Sequence, residues 1–322
     1  EPILYNISCR TTIMNFPFQL SPSRAYDVAG FGTNAVDFLI RVPEYPAFNS
    51  KVELIDYVQA PGGEIATAMV GLQRLGLRTR YAGRFGDDAA GAFGLDSLKL
   101  EGIDTGFVEV IPGAQTQIAF IVIDERSGER TVIWKRDARL GYSLEEAPLP
   151  IVENACVLHI TPHDVEACIA LACRAKEVGT VVSIDLDNTF PGLEDLLPLV
   201  DVMITSAEWP SQMFGIKDKR DALTALRDKY GAPVVGITLG EHGSLIFCED
   251  MFIETPGFVV PGGCKDTTGA GDAFRTGLLF GMVRGESIEE SARMANAVAA
   301  LKCRAIGART SLPNLSELES VL

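Results

Sequence analysis

Short apolar, β-branched runs alternate along this chain with helix-patterned stretches that end at glycine, and no other feature restricts the fold as strongly. Tyr26–Gly32 starts the series as a strand closing on glycines. Pro61-Gly62-Gly63 opens a helical stretch that reaches Leu75, with Gly76 as its stop. Farther on, Val157–Ile160, Val181–Asp185, Val202–Thr205 and Val234–Leu239 read as strands, while Val165–Val178, Asp218–Tyr230 and Ala273–Val283 read as helices. The rhythm predicts an α/β fold, a doubly wound and mostly parallel sheet with helices on both faces. Two regions break it. Lys51–Val58 is a further strand-like run, and Gln117–Asp124 with Arg130–Trp134 flank Glu125–Glu129 as a hairpin. Strands outside any βαβ unit predict a small second sheet, around 51–60 and 117–134. Residues 1–24 read as an extension and 25–322 as one domain.

The densest chemistry lies at Asp266-Thr267-Thr268-Gly269-Ala270-Gly271-Asp272, directly before a helix. A small-residue turn opening a helix aims free backbone N–H groups in one direction, and the helix dipole adds positive potential there. Gly269 and Gly271 remove side chains that would keep a phosphate away, and Gly271 is expected to hold a backbone angle that a β-branched residue resists. Asp272 then sets a carboxylate beside the bound anion. It would repel a phosphate unless it works on it, and the work available is to take the proton of an attacking hydroxyl.

Composition narrows the partners. The net charge of −15 excludes nucleic acid or an anionic membrane as the main partner, yet a local anion site inside an acidic protein still suits ATP. No apolar run approaches the roughly 20 residues that span a bilayer, and Glu1–Leu20 shows no basic region followed by an apolar stretch, so no secretory leader is expected. Seven cysteines without a CxxC pair read as buried or incidental thiols in a reducing cytoplasm. His159 and His163 are split by Pro162 and lack metal-ligand spacing.

The Asp-Thr-x-Gly-Ala-Gly-Asp run resembles the C-terminal signature of the ribokinase-like (PfkB) family of carbohydrate kinases, and the resemblance extends from Tyr26 to about Pro313. It implies that Asp272 is the catalytic base and that the amides of Gly269, Ala270 and Gly271 stabilise the transferred phosphoryl group. It implies sugar contacts from Asp37, Gly62, Gly63 and Thr67, the last standing where the family usually has Asn. An ionised carboxylate such as Asp37 suits a diol, because it accepts two good hydrogen bonds. For the nucleotide the resemblance points to Thr205, Thr238, Gly240, Gly243 and Asn296. Glu208, in a Thr205-Ser206-Ala207-Glu208 match to the family's Asn-x-x-Glu, is implied to organise water around Mg²⁺. A monovalent cation, K⁺, is implied near Asp266, Thr268, Gly307 and Ser311. The strands outside the βαβ units become a lid over the substrate, which in the family often pairs between subunits, so a homodimer is expected.

The resemblance implies ATP-dependent phosphorylation of a primary hydroxyl on a small sugar, and Asp185-Leu186-Asp187, standing where many of the family's sugar kinases have Asp-x-Asn, resembles the family's ketohexokinase-like branch and so implies a ketohexose. A nucleoside or a sugar phosphate is the alternative substrate of the same fold. For a sugar phosphate only Lys135, Arg136 and Arg139 offer a basic cluster near the lid. A sugar-binding regulator without catalysis is the alternative of another class, suggested by Thr67 and Thr205 in place of two Asn.

Overall fold

The computed structural model describes residues 14–21, 23–126 and 130–322. Its large sheet is opened by β1 (Tyr26–Phe31), but the chain leaves that sheet at once. β2 (Ala35–Val42) and β3 (Asp56–Gly62) form a hairpin outside it, and α1 (Glu64–Arg74) brings the chain back. Then β4 (Thr79–Gly86), α2 (Ala89–Leu100) and β5 (Asp104–Ile111) extend one wing of the large sheet. A second excursion, β6 (Ile118–Asp124) and β7 (Arg130–Lys135), joins the first. The other wing is β8 (Ala155–Ile160), α3 (Val165–Val178), β9 (Val181–Leu186), α4 (Leu193–Leu196), β10 (Val202–Ser206), α5 (Glu208–Phe214), α6 (Lys219–Tyr230) and β11 (Val234–Thr238). The hairpin β12 (Ser244–Cys248) and β13 (Met251–Thr255) closes the edge. Helices α7 (Ala270–Arg284), α8 (Ile288–Lys302) and α9 (Leu315–Glu319) complete the chain.

The nine-stranded sheet has the order β13-β12-β11-β10-β9-β8-β1-β4-β5. It is parallel from β11 to β5 and antiparallel only in the terminal hairpin. The two wings diverge between β1 and β8, and in open α/β sheets such a switch point leaves a crevice beyond the strands' carboxyl ends. Strand alternation divides the core: Val202 and Ile204 pack with α1, α7 and α8, whereas Met203 packs with α3, α4 and α6. Both faces are therefore covered, as the near-continuous apolar strands require.

The four-stranded sheet has the order β3-β2-β6-β7. Three differences from the sequence reading concern it and its surroundings. Ala35–Val42, to which the sequence reading assigns no element, is a strand paired on both sides. The strand expected from Lys51 begins at Asp56 and runs on to Gly62, because β2 offers ladder positions only from Arg41 back to Ala35. The β4-α2-β5 wing was not read at all. The expected hairpin at 117–134 is present as β6 and β7, with residues 127–129 of its turn outside the described residues. Of the 1–24 extension, the described part is packed down. Met14 is buried; its carbonyl accepts from the Ile288 amide and its own amide donates to the Glu289 carboxylate, while Arg24 donates to the carbonyls of Ala155, Val178 and Gly179.

Candidate active site

The inner face of the small sheet stands over the crevice. One row across that sheet runs Ala60–Asp37–Ala119–Trp134, set by the pairings of Asp37 with Ala60 and Ala119 and of Ala119 with Trp134. Asp37 is 5 % exposed, and among the described residues nothing hydrogen-bonds to it. Burial raises its pKa to about 6, opposed by the nearby Arg309 guanidinium. A carboxylate kept dry and unpartnered is poised for an external donor. The Trp134 indole, 56 % exposed, lies edge-on to His163, which in turn packs on Phe190.

The two glycines before α1 serve the protein's own packing before any ligand. A Cβ on Gly62 would lie 2.0 Å from Asp37 Oδ2, and one on Gly63, at φ 87°, would lie 2.3 Å from Asn34 Cα. Thr67 is also not an open sugar contact. It is fully buried, and its hydroxyl accepts from Arg309 Nε at 3.2 Å. The same guanidinium donates to Ser97 Oγ and to the Gly62 carbonyl. The contact expected of an Asn at Thr67 has thus become a seat for Arg309. Replacing Asp37 by Asn should raise the sugar KM by about 10- to 100-fold with a small change in kcat, the worth of charge-assisted hydrogen bonds held in ground and transition states alike. Steady-state kinetics at saturating ATP check this, and an unchanged KM for every sugar would remove Asp37 from the site.

Across the crevice Asp272 occupies the first turn of α7, partly exposed with Gly269, Ala270 and Gly271. Burial and the neighbouring Glu64 carboxylate raise its pKa to about 7, against the pull of Arg275. Glu64 is held by the Thr33 hydroxyl at 2.9 Å and lies 3.7 Å from His163 Nδ1. Arg275 is 2 % exposed and anchors the floor, contacting Asp185 at 2.7 Å, Asp187 at 3.0 Å and the Ile204 carbonyl at 3.0 Å. The unusual backbone angle expected at Gly271 belongs to Gly269, at φ 77°, where a Cβ would meet Ala308 at 2.9 Å. Gly271 is helical, and its bareness makes room for Arg275 Nη1, 2.6 Å from where a Cβ would stand. Of the three expected amide donors, Ala270 is spent on the Thr267 carbonyl at 3.0 Å. The amides at Gly269 and Gly271 remain for an anion.

A general base acts only when ionised. The acid limb of kcat/KM should therefore rise with pH through about 7. Removing the Glu64 charge by Glu64→Gln should move that limb to lower pH, since one repulsion is lost. A limb that stays in place in the variant would remove Glu64 from the electrostatics of Asp272.

The expected nucleotide residues gather at the carboxyl ends of β10 and β11, with two exceptions. Glu208 is exposed at the start of α5, and Thr238 and Gly240 border the turn into β12. Among the described residues Glu208 has no hydrogen bond or ion pair, so its carboxylate is free to order water near a divalent ion. Thr205 is fully buried, and its hydroxyl donates to the Ser206 carbonyl. Asn296 does not offer an open amide: its nitrogen donates to Ser244, Thr255 and Ala292, fastening α8 to the β12–β13 hairpin. Gly243, at φ 99°, is needed because a Cβ would lie 2.0 Å from the Thr255 carbonyl.

At the expected K⁺ position the protein supplies its own contacts. Asp266 accepts from the amides of Thr268 and Gly307, each at 2.8 Å. The Ser311 hydroxyl donates to the Lys302 carbonyl. Lys302, fully buried, donates through Nζ to the Asp266 carbonyl at 2.8 Å, with the Asp266 carboxylate 3.7 Å away. These residues do not fit an added monovalent ion, because an ammonium already holds the carbonyl it would need.

Glu64, Trp134, Arg275, Lys302 and Arg309 were missed in the sequence. The available signal was a charged residue inside an otherwise apolar helical face, as at Arg275 within Ala273–Met282 and Lys302 beside Ala300–Leu301.

A family model described as the pfkB family carbohydrate kinase matches residues 27–315. Fructokinase-1 of Zea mays is 28 % identical, covering 90 % of this chain and 96 % of its own. A nucleoside kinase of Methanothermobacter thermautotrophicus is 26 % identical over 90 % of this chain and 94 % of its own. The structure of Arabidopsis thaliana ribokinase complexed with ribose and ATP superposes with a TM-score of 0.82 at 23 % identity, covering 92 % of this chain and 98 % of that one, and so shares the fold.

Proposed function

The chain belongs to the pfkB family of carbohydrate kinases, whose members are ATP-dependent phosphotransferases, and on that premise we propose that it phosphorylates a primary hydroxyl of a small neutral sugar, a ketohexose first among them. The observation that carries this reading is the buried, unpartnered Asp37 on one wall of the crevice, facing Asp272 in the first turn of α7 on the other. Asp37 would accept from two sugar hydroxyls while the Trp134 face covers the ring. Asp272 takes the proton as the hydroxyl oxygen bonds to the γ-phosphorus. The bond from that phosphorus to the β–γ bridging oxygen breaks, and ADP leaves with that oxygen. The free amides of Gly269 and Gly271, at the positive end of α7, would stabilise the charge on the equatorial oxygens. Magnesium, ordered through water by Glu208, would screen the phosphates of the bound nucleotide. On the far side Arg130 reaches from β7 to the Thr267 hydroxyl, so the small sheet touches the signature loop directly.

A sugar phosphate fits poorly. Arg136 is committed to Asp164 at 2.7 Å and Arg139 to Asp137 at 2.6 Å, which leaves Lys135 as the unspent cation of that cluster. The crevice also carries Asp37, Glu64, Asp187 and Asp272, which repel a second phosphate. A nucleoside is the second reading, favoured by the aromatic group Trp134, His163 and Phe190, which could stack on a base. ADP formation against fructose, ribose, adenosine and fructose 6-phosphate separates these. Turnover led by a neutral sugar supports the proposal, and turnover confined to adenosine or to the phosphorylated sugar replaces it.

The outer face of the small sheet supports a homodimer. Phe38 stacks on Phe120 at 5.3 Å, and Tyr57, Phe120 and Ile133 are 65 %, 40 % and 56 % exposed. Such an uncovered apolar sheet face invites pairing with a second copy. Light scattering should give twice the 34.7 kDa of one chain, and Ile133→Lys should shift it towards the single-chain mass. A wild-type protein at the single-chain mass would refute the dimer.

A further inference from the structure

We infer that the Lys302 ammonium is the resident cation of the signature loop and that this kinase turns over without an added monovalent ion. The inference rests on the kinase reading above. Burying an ammonium is costly unless it is paired and hydrogen-bonded, so a fully buried Lys302 must meet a need at its tip. What it meets is the backbone carbonyl of Asp266, the residue that opens the loop leading to the Gly269 and Gly271 amides. Asp266 in turn gathers both sides of that loop, taking the Thr268 amide on one oxygen and the Gly307 amide on the other. The Lys302 backbone is tied into the same knot. Its carbonyl accepts from Ser311, and the neighbouring Cys303 carbonyl accepts from the Lys265 amide at 2.9 Å.

A positive charge there does two things. It neutralises a carboxylate that would otherwise repel the nucleotide phosphates a few residues away. It also fixes the carbonyl direction of Asp266, and with it the path of the loop. A bound monovalent ion would do the same work with carbonyl ligands, but it can be lost by dilution. A lysine tethered to α8 cannot be. Lys302 is thus a positioning residue: it acts through the loop and touches neither substrate.

The test begins with the unaltered protein, so it does not depend on a variant folding. Activity is measured in potassium, sodium and choline chloride at equal ionic strength, together with the rise in Tm produced by ADP and magnesium. The inference expects turnover and ADP-induced Tm shift to agree within about twofold across the three salts, whereas a protein that needs an ion gains both in potassium by simple linkage. Lys302→Ala should then lower kcat at least about tenfold and raise the KM for ATP more than that for the sugar. Potassium or ammonium, but not choline, should partly restore both in a saturable manner, because the deleted side chain leaves room for an ion. A wild-type protein stimulated tenfold or more by potassium over choline would overturn the inference, and so would Lys302→Met with unchanged kcat and unchanged KM for ATP. If no sugar or nucleoside is phosphorylated in any salt, the substrate reading has failed, and the nucleotide-induced Tm shift still decides about Lys302.

Discussion

Asp272→Asn is expected to lower kcat by about 10² to 10⁴ while leaving the sugar KM within a few-fold of the wild type. The amide preserves shape and can still donate a hydrogen bond, so binding survives. What disappears is the carboxylate beside the anion site, whose pKa is raised to about 7. That value matters, because a base whose pKa lies near the working pH is ionised often enough to act and basic enough to pull. The variant should also lose the acid limb of the pH profile. Near-normal kcat in Asp272→Asn would remove it as the base and return the catalytic assignment to the neighbouring carboxylates Glu64 and Asp187.

Gly271→Val is expected to lower kcat/KM by at least about 10² to 10³, the range typical for loss of one preorganised donor, with the fold retained. Its mechanism is not backbone strain, since Gly271 is helical. The new side chain would start 2.6 Å from Arg275 Nη1 and must push the guanidinium off Asp185 and Asp187. It would also stand at the mouth of the Gly269 and Gly271 amides. The two effects act on the same step. Circular dichroism with a coupled ATP-consumption assay checks both fold and rate, and a folded variant of ordinary activity would end the anion-site assignment.

How far the site could be read in the sequence depended on whether its parts were neighbours in the chain. The Asp266–Asp272 run is contiguous, so its turn, helix start and carboxylate were legible together. The alternating strands were legible because period and glycine stops are local properties. Asp37 was named from the resemblance, but its setting was not legible. Its strand, an apolar run with Val36, Phe38, Ile40 and Val42, is set in place by pairing with β3 and with β6. The burial of Thr67 was hidden for the same reason, since its partner Arg309 lies 242 positions away. Lys302 and Arg275 stand out only as charges inside apolar helical runs, which does not say what holds them. Lys302 is held by the Asp266 carbonyl, and Arg275 by the Asp185 and Asp187 carboxylates with the Ile204 carbonyl, all distant in the chain; a carbonyl in particular leaves no trace in a residue name.

The small sheet is made of two chain excursions that both start and finish on the large sheet, and this restricts how it can move. Four passages tether it: residues 32–34, residue 63, residues 112–117 and residues 136–154, between the elements they join. Gly32, Gly63 and Gly113 sit in the first three, all at positive φ. A flap on one stalk can swing through a wide arc, but a panel held at four points along one side can only tilt about the line through them. Its travel is short, its orientation over the crevice is conserved throughout, and Asp37 and Trp134 must approach or leave a sugar together. Stiffening a single tether, for example by Gly113→Ala, would therefore act on the whole panel and change the capture and the release of substrate in the same proportion.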